Sequence, residues 1–200
     1  MINLEFIPGD SRLVILCDED APEVLQEKTG VSILMIRNPD WNNDLSPWPA
    51  ARVFRKGEDF GGGADKTIAL IHEWLESHPG QFEKTVIAGY SLAGLFALYA
   101  AAQLECFDGC VSASGSLWYP DFAQWLESHP VHCGTVYLSL GDQEKKARNP
   151  LMASVEEKTN RVYGLISSYA GCTFVMNPGN HFSDPQGRLL AGIEWVLENL

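Results

Sequence analysis

The stretch Thr85-Val86-Ile87-Ala88-Gly89-Tyr90-Ser91-Leu92-Ala93-Gly94 decides how the rest of the chain is read. Thr85 to Ala88 is a short, β-branched apolar run of strand type, and Leu92 to Leu104 is an Ala/Leu-rich segment apolar on nearly every face, as a helix buried against a sheet must be. Between them lies a tight turn. A serine on such a strand-to-helix turn stands at the carboxyl edge of the sheet, hydroxyl exposed, with the helix N-terminus aimed at it. Small residues are needed around it because the backbone is strained and chain segments crowd together. Gly89, Ala93 and Gly94 meet that need, although Ala93 carries one methyl more than the Gly-x-Ser-x-Gly pattern asks. A Gly-rich turn whose serine merely caps the helix reads the same over five residues. Context has to separate the two.

Working outward, short apolar runs recur at Leu13 to Cys17, Ser32 to Arg37, Gly109 to Ala113, Thr135 to Leu140 and Cys172 to Met176. Segments of helical period separate them: Asp65 to Ser77, Leu151 to Tyr169 and Gln186 to Leu200. This alternation predicts the α/β class, a mostly parallel sheet with helices on both faces. Two hundred residues fit a single domain over 1–200, with little room for an inserted lid. The hexapeptide Trp-Leu-Glu-Ser-His-Pro occurs at 74–79 and again at 125–130. Its flanks do not match, so it reads as a helix ending used twice rather than as a repeat. Asn38 to Ala64, with Pro39, Pro47, Pro49 and Gly61-Gly62-Gly63, lacks regular period, and a loop of that length is usually functional.

Composition excludes several roles. Lys plus Arg number 14 against 26 Asp plus Glu, a net charge of −12 that would repel nucleic acid or an anionic bilayer. No apolar run reaches the ~18 residues of a membrane span, and the opening Met1-Ile2-Asn3-Leu4-Glu5 lacks a secretory flank, so the expected address is cytoplasmic. Five scattered cysteines (Cys17, Cys106, Cys110, Cys133, Cys172) read as buried free thiols. Neither Cys106-x-x-x-Cys110 nor His129-x-x-His132-Cys133 has metal-site spacing, so no metal is expected.

A serine hydroxyl is a weak nucleophile unless an imidazole takes its proton, and the imidazole needs an acid to fix its tautomer. On this kind of turn both follow in the order Ser, acid, His, at the ends of later strands. Gly141-Asp142-Gln143-Glu144 follows the run ending at Leu140, and Asn177-Pro178-Gly179-Asn180-His181-Phe182 follows the run ending at Met176. His72 lies within a helix, His78 and His129 precede prolines, and His132 precedes a strand at the opposite edge. His181 is therefore the candidate general base, with Asp142 and Glu144 both open as the acid.

With these residues in hand, the chain resembles the α/β-hydrolase superfamily, and within it the branch that includes enterochelin (siderophore) esterases and esterase D. The resemblance covers most of the chain. It rests on Gly89 to Gly94, on Ser114-Gly115-Ser116-Leu117-Trp118-Tyr119, on Gly141 to Glu144 and on His181. It implies Ser91 as nucleophile, His181 as base and then acid, and Glu144 ahead of Asp142, because the family's acid commonly falls three residues after the strand-ending glycine. Some relatives work with a Ser-His dyad. The oxyanion would be held by the N–H of Leu92 and by one N–H from Arg37-Asn38-Pro39-Asp40-Trp41. Pro39 has none, which leaves Asn38 and Trp41, and Trp41 is taken.

Trp41, Trp48, Trp118 and Tyr119, together with Tyr90, are candidate lining for an acyl or aryl group, or else they seal the core under long loops. Arg37, Arg52, Arg55 and Lys56 are cations near this edge that would meet an anionic substrate or simply stand in solvent. The expectation is a serine esterase acting without a cofactor on a small-molecule ester. A thioesterase or transacylase would use the same residues, and a non-catalytic scaffold on this fold would bind a ligand or partner instead.

Overall fold

In the apolar runs, alternate side chains point to opposite faces, and here both faces are buried. Leu13 and Ile15 enter one core with Leu34, Ile87 and Leu138, whereas Val14 and Leu16 enter another with Ile33, Val86 and Val111. The computed structural model describes residues 2–17, 22–53 and 57–200. Its elements are β1 (Asn3–Ile7), β2 (Arg12–Leu16), α1 (Pro22–Thr29), β3 (Ser32–Arg37), α2 (Trp41–Asp44), β4 (Pro49–Ala50), β5 (Phe60–Gly61), α3 (Ala64–Glu76) and β6 (Lys84–Tyr90). There follow α4 (Leu92–Gln103), β7 (Gly109–Ala113), α5 (Phe122–Trp125), β8 (Thr135–Gly141), a 3-10 turn at Glu144–Lys146, α6 (Pro150–Ala153), α7 (Val155–Ile166), β9 (Gly171–Asn177) and α8 (Pro185–Glu198).

The main sheet has seven strands in the order β1-β3-β2-β6-β7-β8-β9. All neighbours are parallel except the edge pair of β1 with β3, where Asn3 faces Arg37 and Ile7 faces Ile33. The chain leaves β3 on one side of β2 and returns as β6 on the other, so the loops after β3 and β6 diverge around β2 at the carboxyl edge. Open α/β sheets gather their sites at such a divergence. Helix α4 is buried along nearly its whole length, as its uninterrupted apolar sequence requires. Helix α8 lies so close to the other face that a Cβ on Gly192 would stand 2.6 Å from Val111 Cγ1 and 2.7 Å from Tyr137 Cδ1.

Several elements differ from the sequence expectation. The segment Leu151 to Tyr169 is two helices, because the Ser154 hydroxyl donates to the Leu151 carbonyl at 2.7 Å and so competes with the helical ladder. It stops at Ile166, where Ser167 and Ser168 bond back to the carbonyls of Tyr163 and Leu165 in the same way. The loop Asn38 to Ala64 contains α2, capped by Asp40, and the β4–β5 ribbon. Cys17, Cys110 and Cys133 are buried and Cys172 half-buried, but Cys106 is exposed; Cys106, Cys110, Cys133 and Cys172 are free thiols. Among the described residues, no helix is long and apolar enough to cross a membrane.

The twin hexapeptides make the same contacts at the ends of α3 and α5, although α3 runs to Glu76 and α5 stops at Trp125. Ser77 and Ser128 donate to the carbonyls of Trp74 and Trp125. His78 and His129 donate through Nδ1 to those same oxygens, at 2.8 and 2.9 Å. Each imidazole stacks on its tryptophan, with centroids 4.1 and 4.3 Å apart.

Candidate active site

The turn after β6 forces Ser91 to φ 58° and ψ −121°, a strained conformation for a residue with a Cβ. It is held on both sides: Ser91 N–H donates to the Ala113 carbonyl at 3.0 Å, and its own carbonyl accepts from Ser116 N–H at 2.9 Å. A Cβ on Gly89 would lie 2.2 Å from the Ala93 carbonyl oxygen, so nothing larger than glycine fits there. The Ser91 hydroxyl is thereby presented at the sheet edge, 2.9 Å from His181 Nε2.

His181 comes from the loop after β9. Its Nδ1 is 2.8 Å from Glu144 Oε2. A carboxylate only accepts, so Nδ1 carries the ring proton and the Nε2 lone pair faces the Ser91 hydroxyl. Glu144 is 8% exposed and takes a further bond on Oε1 from the Gly141 N–H at 2.8 Å. Burial pushes its carboxyl up, but the bonds from His181 and Gly141 outweigh burial and bring it below the ordinary value. Asp142 turns elsewhere and accepts from the Gly179 N–H at 2.9 Å, which lowers its carboxyl. Of the two candidate carboxylates, Glu144 is the one bonded to the imidazole.

These side chains open on a cavity of about 150 Å³. Its buried wall includes Phe60, Leu92, Trp118 and Val155, with half-buried Met152 beside them, while Trp41 and Phe182 line it but are exposed to 42% and 82%. Asn42 and Ser116 add polar groups, and the Ser116 hydroxyl is 3.5 Å from that of Ser91. Leu92 and Trp41 are each the first residue of a helix, where backbone N–H groups have no intrahelical partner. Asn38 is exposed, and its side chain donates to Asn3.

Of the aromatic candidates, Trp41 and Trp118 line the cavity, and the others are placed behind it. Trp48 donates to the Pro120 carbonyl and packs on Tyr99, Tyr119, Phe122 and Trp125. Tyr119 donates to the Trp48 carbonyl and backs the lining from behind Phe60 and Trp118, with centroids 5.2 and 6.2 Å away. Tyr90 reaches the His181 carbonyl instead, at 2.5 Å, and burial raises its phenol. Arg37 pairs with Glu5, and Arg52 donates to the Gly57 carbonyl; Arg55 and Lys56 lie outside the described residues.

Sequence reasoning missed Phe60, Met152, Val155 and Phe182 as lining, because apolar residues in loops and at helix starts look alike wherever they face. It also missed Arg188, whose signal was available. Arg188 falls on the apolar stripe of α8 with Leu189, Gly192, Ile193 and Val196, a charge on a face that should carry none.

No family model matches the chain. It is 29% identical over 133 residues to the uncharacterized protein YbbA of Bacillus subtilis strain 168, a match covering 60% of this chain and 52% of that one. The chain thus spans about half the length of this curated relative. Among solved structures it is similar to two siderophore hydrolases of Aspergillus nidulans. For EstB the TM-score is 0.73 at 16% identity, covering 99% of this chain and 89% of that one. For EstA the values are 0.68 and 20%, with 96% and 83% covered. The enterobactin esterase FES of Shigella flexneri matches with a TM-score of 0.71 at 19% identity, over 98% of this chain and 55% of that one. At such identities the likeness is one of architecture, and taken with the strand order and the turn after β6 it means that this chain has the α/β-hydrolase fold.

Proposed function

We propose that this chain is a serine esterase that cleaves small carboxylic esters through an acyl-enzyme. One observation carries the reading: Ser91 Oγ, His181 Nε2, His181 Nδ1 and Glu144 Oε2 form a continuous relay of 2.9 and 2.8 Å opening on an apolar cavity. Ser91 Oγ adds to the ester carbonyl as its proton passes to His181 Nε2. The oxyanion is met by the N–H groups of Leu92 and Trp41, both at helix starts and both in the cavity wall. Collapse breaks the bond to the leaving oxygen, which takes the proton from His181 and departs as the alcohol. Water then adds to the acyl-enzyme, giving its proton to His181; the second collapse returns that proton to Ser91 and releases the acid. The chemistry calls on no cofactor.

Cavity size argues for the substrate. An apolar space of ~150 Å³ holds about one benzene ring, so the acyl part is a short chain or a single ring. The net charge of −12 supports a small-molecule partner over a nucleic acid, and the free thiols support a reducing compartment such as the cytoplasm. The test is turnover of a panel of short acyl and aryl esters together with labelling by a fluorophosphonate. The reading expects both activities in the wild type and neither in Ser91→Ala. A wild-type protein inert to the panel and to the probe would leave a binding scaffold as the better account.

A further inference from the structure

Among the described residues, the buried charged side chains are Glu144 and Arg188, and they are bonded to each other. Arg188 rises from the opening turn of α8, the end of a helix where the macrodipole disfavours a cation. It is 3% exposed. A Cβ on Gly141 would lie 2.9 and 3.0 Å from its two terminal nitrogens, so the guanidinium fits only because position 141 has no side chain. A buried ion pair is a poor source of stability compared with apolar packing of the same volume. Some other reason must keep it here, and its contacts supply one.

The guanidinium bonds to each segment that carries the relay. Nη1 donates to Glu144 Oε1 at 3.2 Å, to the Ser114 hydroxyl at 3.0 Å and toward the Tyr90 hydroxyl at 3.5 Å. Nη2 donates to the Pro178 carbonyl at 2.9 Å, three residues ahead of His181. Tyr90 in turn precedes Ser91 and holds the His181 carbonyl. A planar fork can satisfy several acceptors in fixed directions, which a lysine ammonium cannot.

We propose that Arg188 is a positioning residue for the reaction proposed above: it fixes Glu144 through Oε1 so that Oε2 faces His181, and it ties the loop bearing His181 to the end of the strand that leads into Ser91. The inference rests on the hydrolase reading. The charged and titratable groups around Glu144 are His181 from the loop after β9, Arg188 from α8, Tyr90 from the end of β6, and Asp142, Lys145 and Lys146 on its own turn. The last three have other partners, in Gly179, Glu156 and Gln143.

The experiment compares Arg188→Met and Arg188→Lys by steady-state kinetics across pH, with folding checked by circular dichroism. Arg188→Met should lower kcat by ~10²-fold with KM little changed, the size of effect that a misplaced relay produces. Its acid limb should move to higher pH, since removing a neighbouring cation makes the His181–Glu144 pair easier to protonate. Arg188→Lys should leave the limb in place and recover part of kcat. A merely structural Arg188 would lower the unfolding midpoint and leave the limb unmoved. A folded Arg188→Met with wild-type kcat and an unmoved limb overturns the proposal. Should Arg188→Met not fold, Arg188→Lys decides: a lowered kcat with the limb in place supports the fork, and wild-type kcat overturns it. A wild type without ester turnover sinks the hydrolase reading instead. An NMR titration of the His181 ring then still tests the coupling, and an unmoved midpoint in Arg188→Met rejects it.

Discussion

The Tyr90 hydroxyl donates to the backbone carbonyl of His181 at 2.5 Å, so the residue before Ser91 holds the residue proposed as base. The two belong to segments 91 positions apart, and neither ring needs to touch substrate for the bond to matter. Tyr90→Phe removes the hydroxyl and leaves the ring packed on the imidazole, centroids 5.3 Å apart. A hydrogen bond of ~1 kcal/mol lost from positioning predicts up to about a tenfold fall in kcat with KM unchanged. Steady-state kinetics on a short-chain ester checks it; a fall confined to KM would mean that the hydroxyl contacts substrate.

Glu144→Gln keeps the shape but strips the counter-charge from buried Arg188. The expected cost is ~3 to 5 kcal/mol of stability and about 10³- to 10⁴-fold in kcat, the scale seen when a triad acid becomes its amide. Asp142→Asn should stay near wild type in activity. Urea unfolding and kinetics on the two variants separate the carboxylates; equal losses would mean that both serve the imidazole.

Stability should depend on acid in a defined direction. Burial alone would raise the Glu144 carboxyl, but the bonds from His181 and Gly141 leave it lowered in the folded protein. A carboxyl lowered on folding contributes fully above its unfolded value and loses that contribution as pH falls through the folded one. The stability gap between wild type and Glu144→Gln should therefore narrow below the ordinary value of 4.5. Urea midpoints measured at a series of pH values report it, and a gap that widens in acid would contradict the assignment.

Met152 is half-buried in the cavity wall, so trimming it adds room without opening the core. Met152→Ala should shift preference toward longer acyl chains, raising the octanoate-to-butyrate ratio of kcat/KM by ~10-fold or more, since each methylene accommodated is worth ~1 to 3 kcal/mol. If the ratio is unchanged, the acyl group lies elsewhere.

Gly192→Ala sets two effects against each other. Alanine gains ~1 kcal/mol of helix propensity. Its methyl, however, would stand 2.6 to 2.9 Å from Val111 and Tyr137, and overpacking costs ~1 to 3 kcal/mol. Packing wins, because both contacts belong to interior strands of the sheet, each paired on both sides. The expected outcome is a lower urea midpoint; a higher one would mean that α8 can lift away freely.

How far the chain could be read from its residues depended on whether a signal was local. Ser32–Arg37 and Gly109–Ala113 are strands with the bounds their apolar runs imply, because strands buried on both faces are almost wholly apolar inside, with Ser112 the small polar exception. Edge strand β1 and helix α1 escaped notice for the opposite reason: Asn3 to Ile7 mixes polar and apolar residues, and the short α1 carries a polar sequence. The nearness of Ser91, His181 and a carboxylate followed from chain order and from each falling just past a parallel strand. Which aromatics line the cavity did not, since Trp48 and Tyr119 differ from Trp118 only in the path of the loop around them. Arg188 was missed because a guanidinium on an apolar stripe makes sense only once Glu144 is seen beneath it.

The paired endings of α3 and α5 have a consequence for engineering. The two copies make the same three contacts among unrelated neighbours, although α3 ends on the third residue of the six and α5 on the first, so those contacts reside in six consecutive residues and owe little to the surrounding fold. Trp-Leu-Glu-Ser-His-Pro is in that sense a portable full stop, and spliced onto the end of a designed helix it should carry its punctuation along.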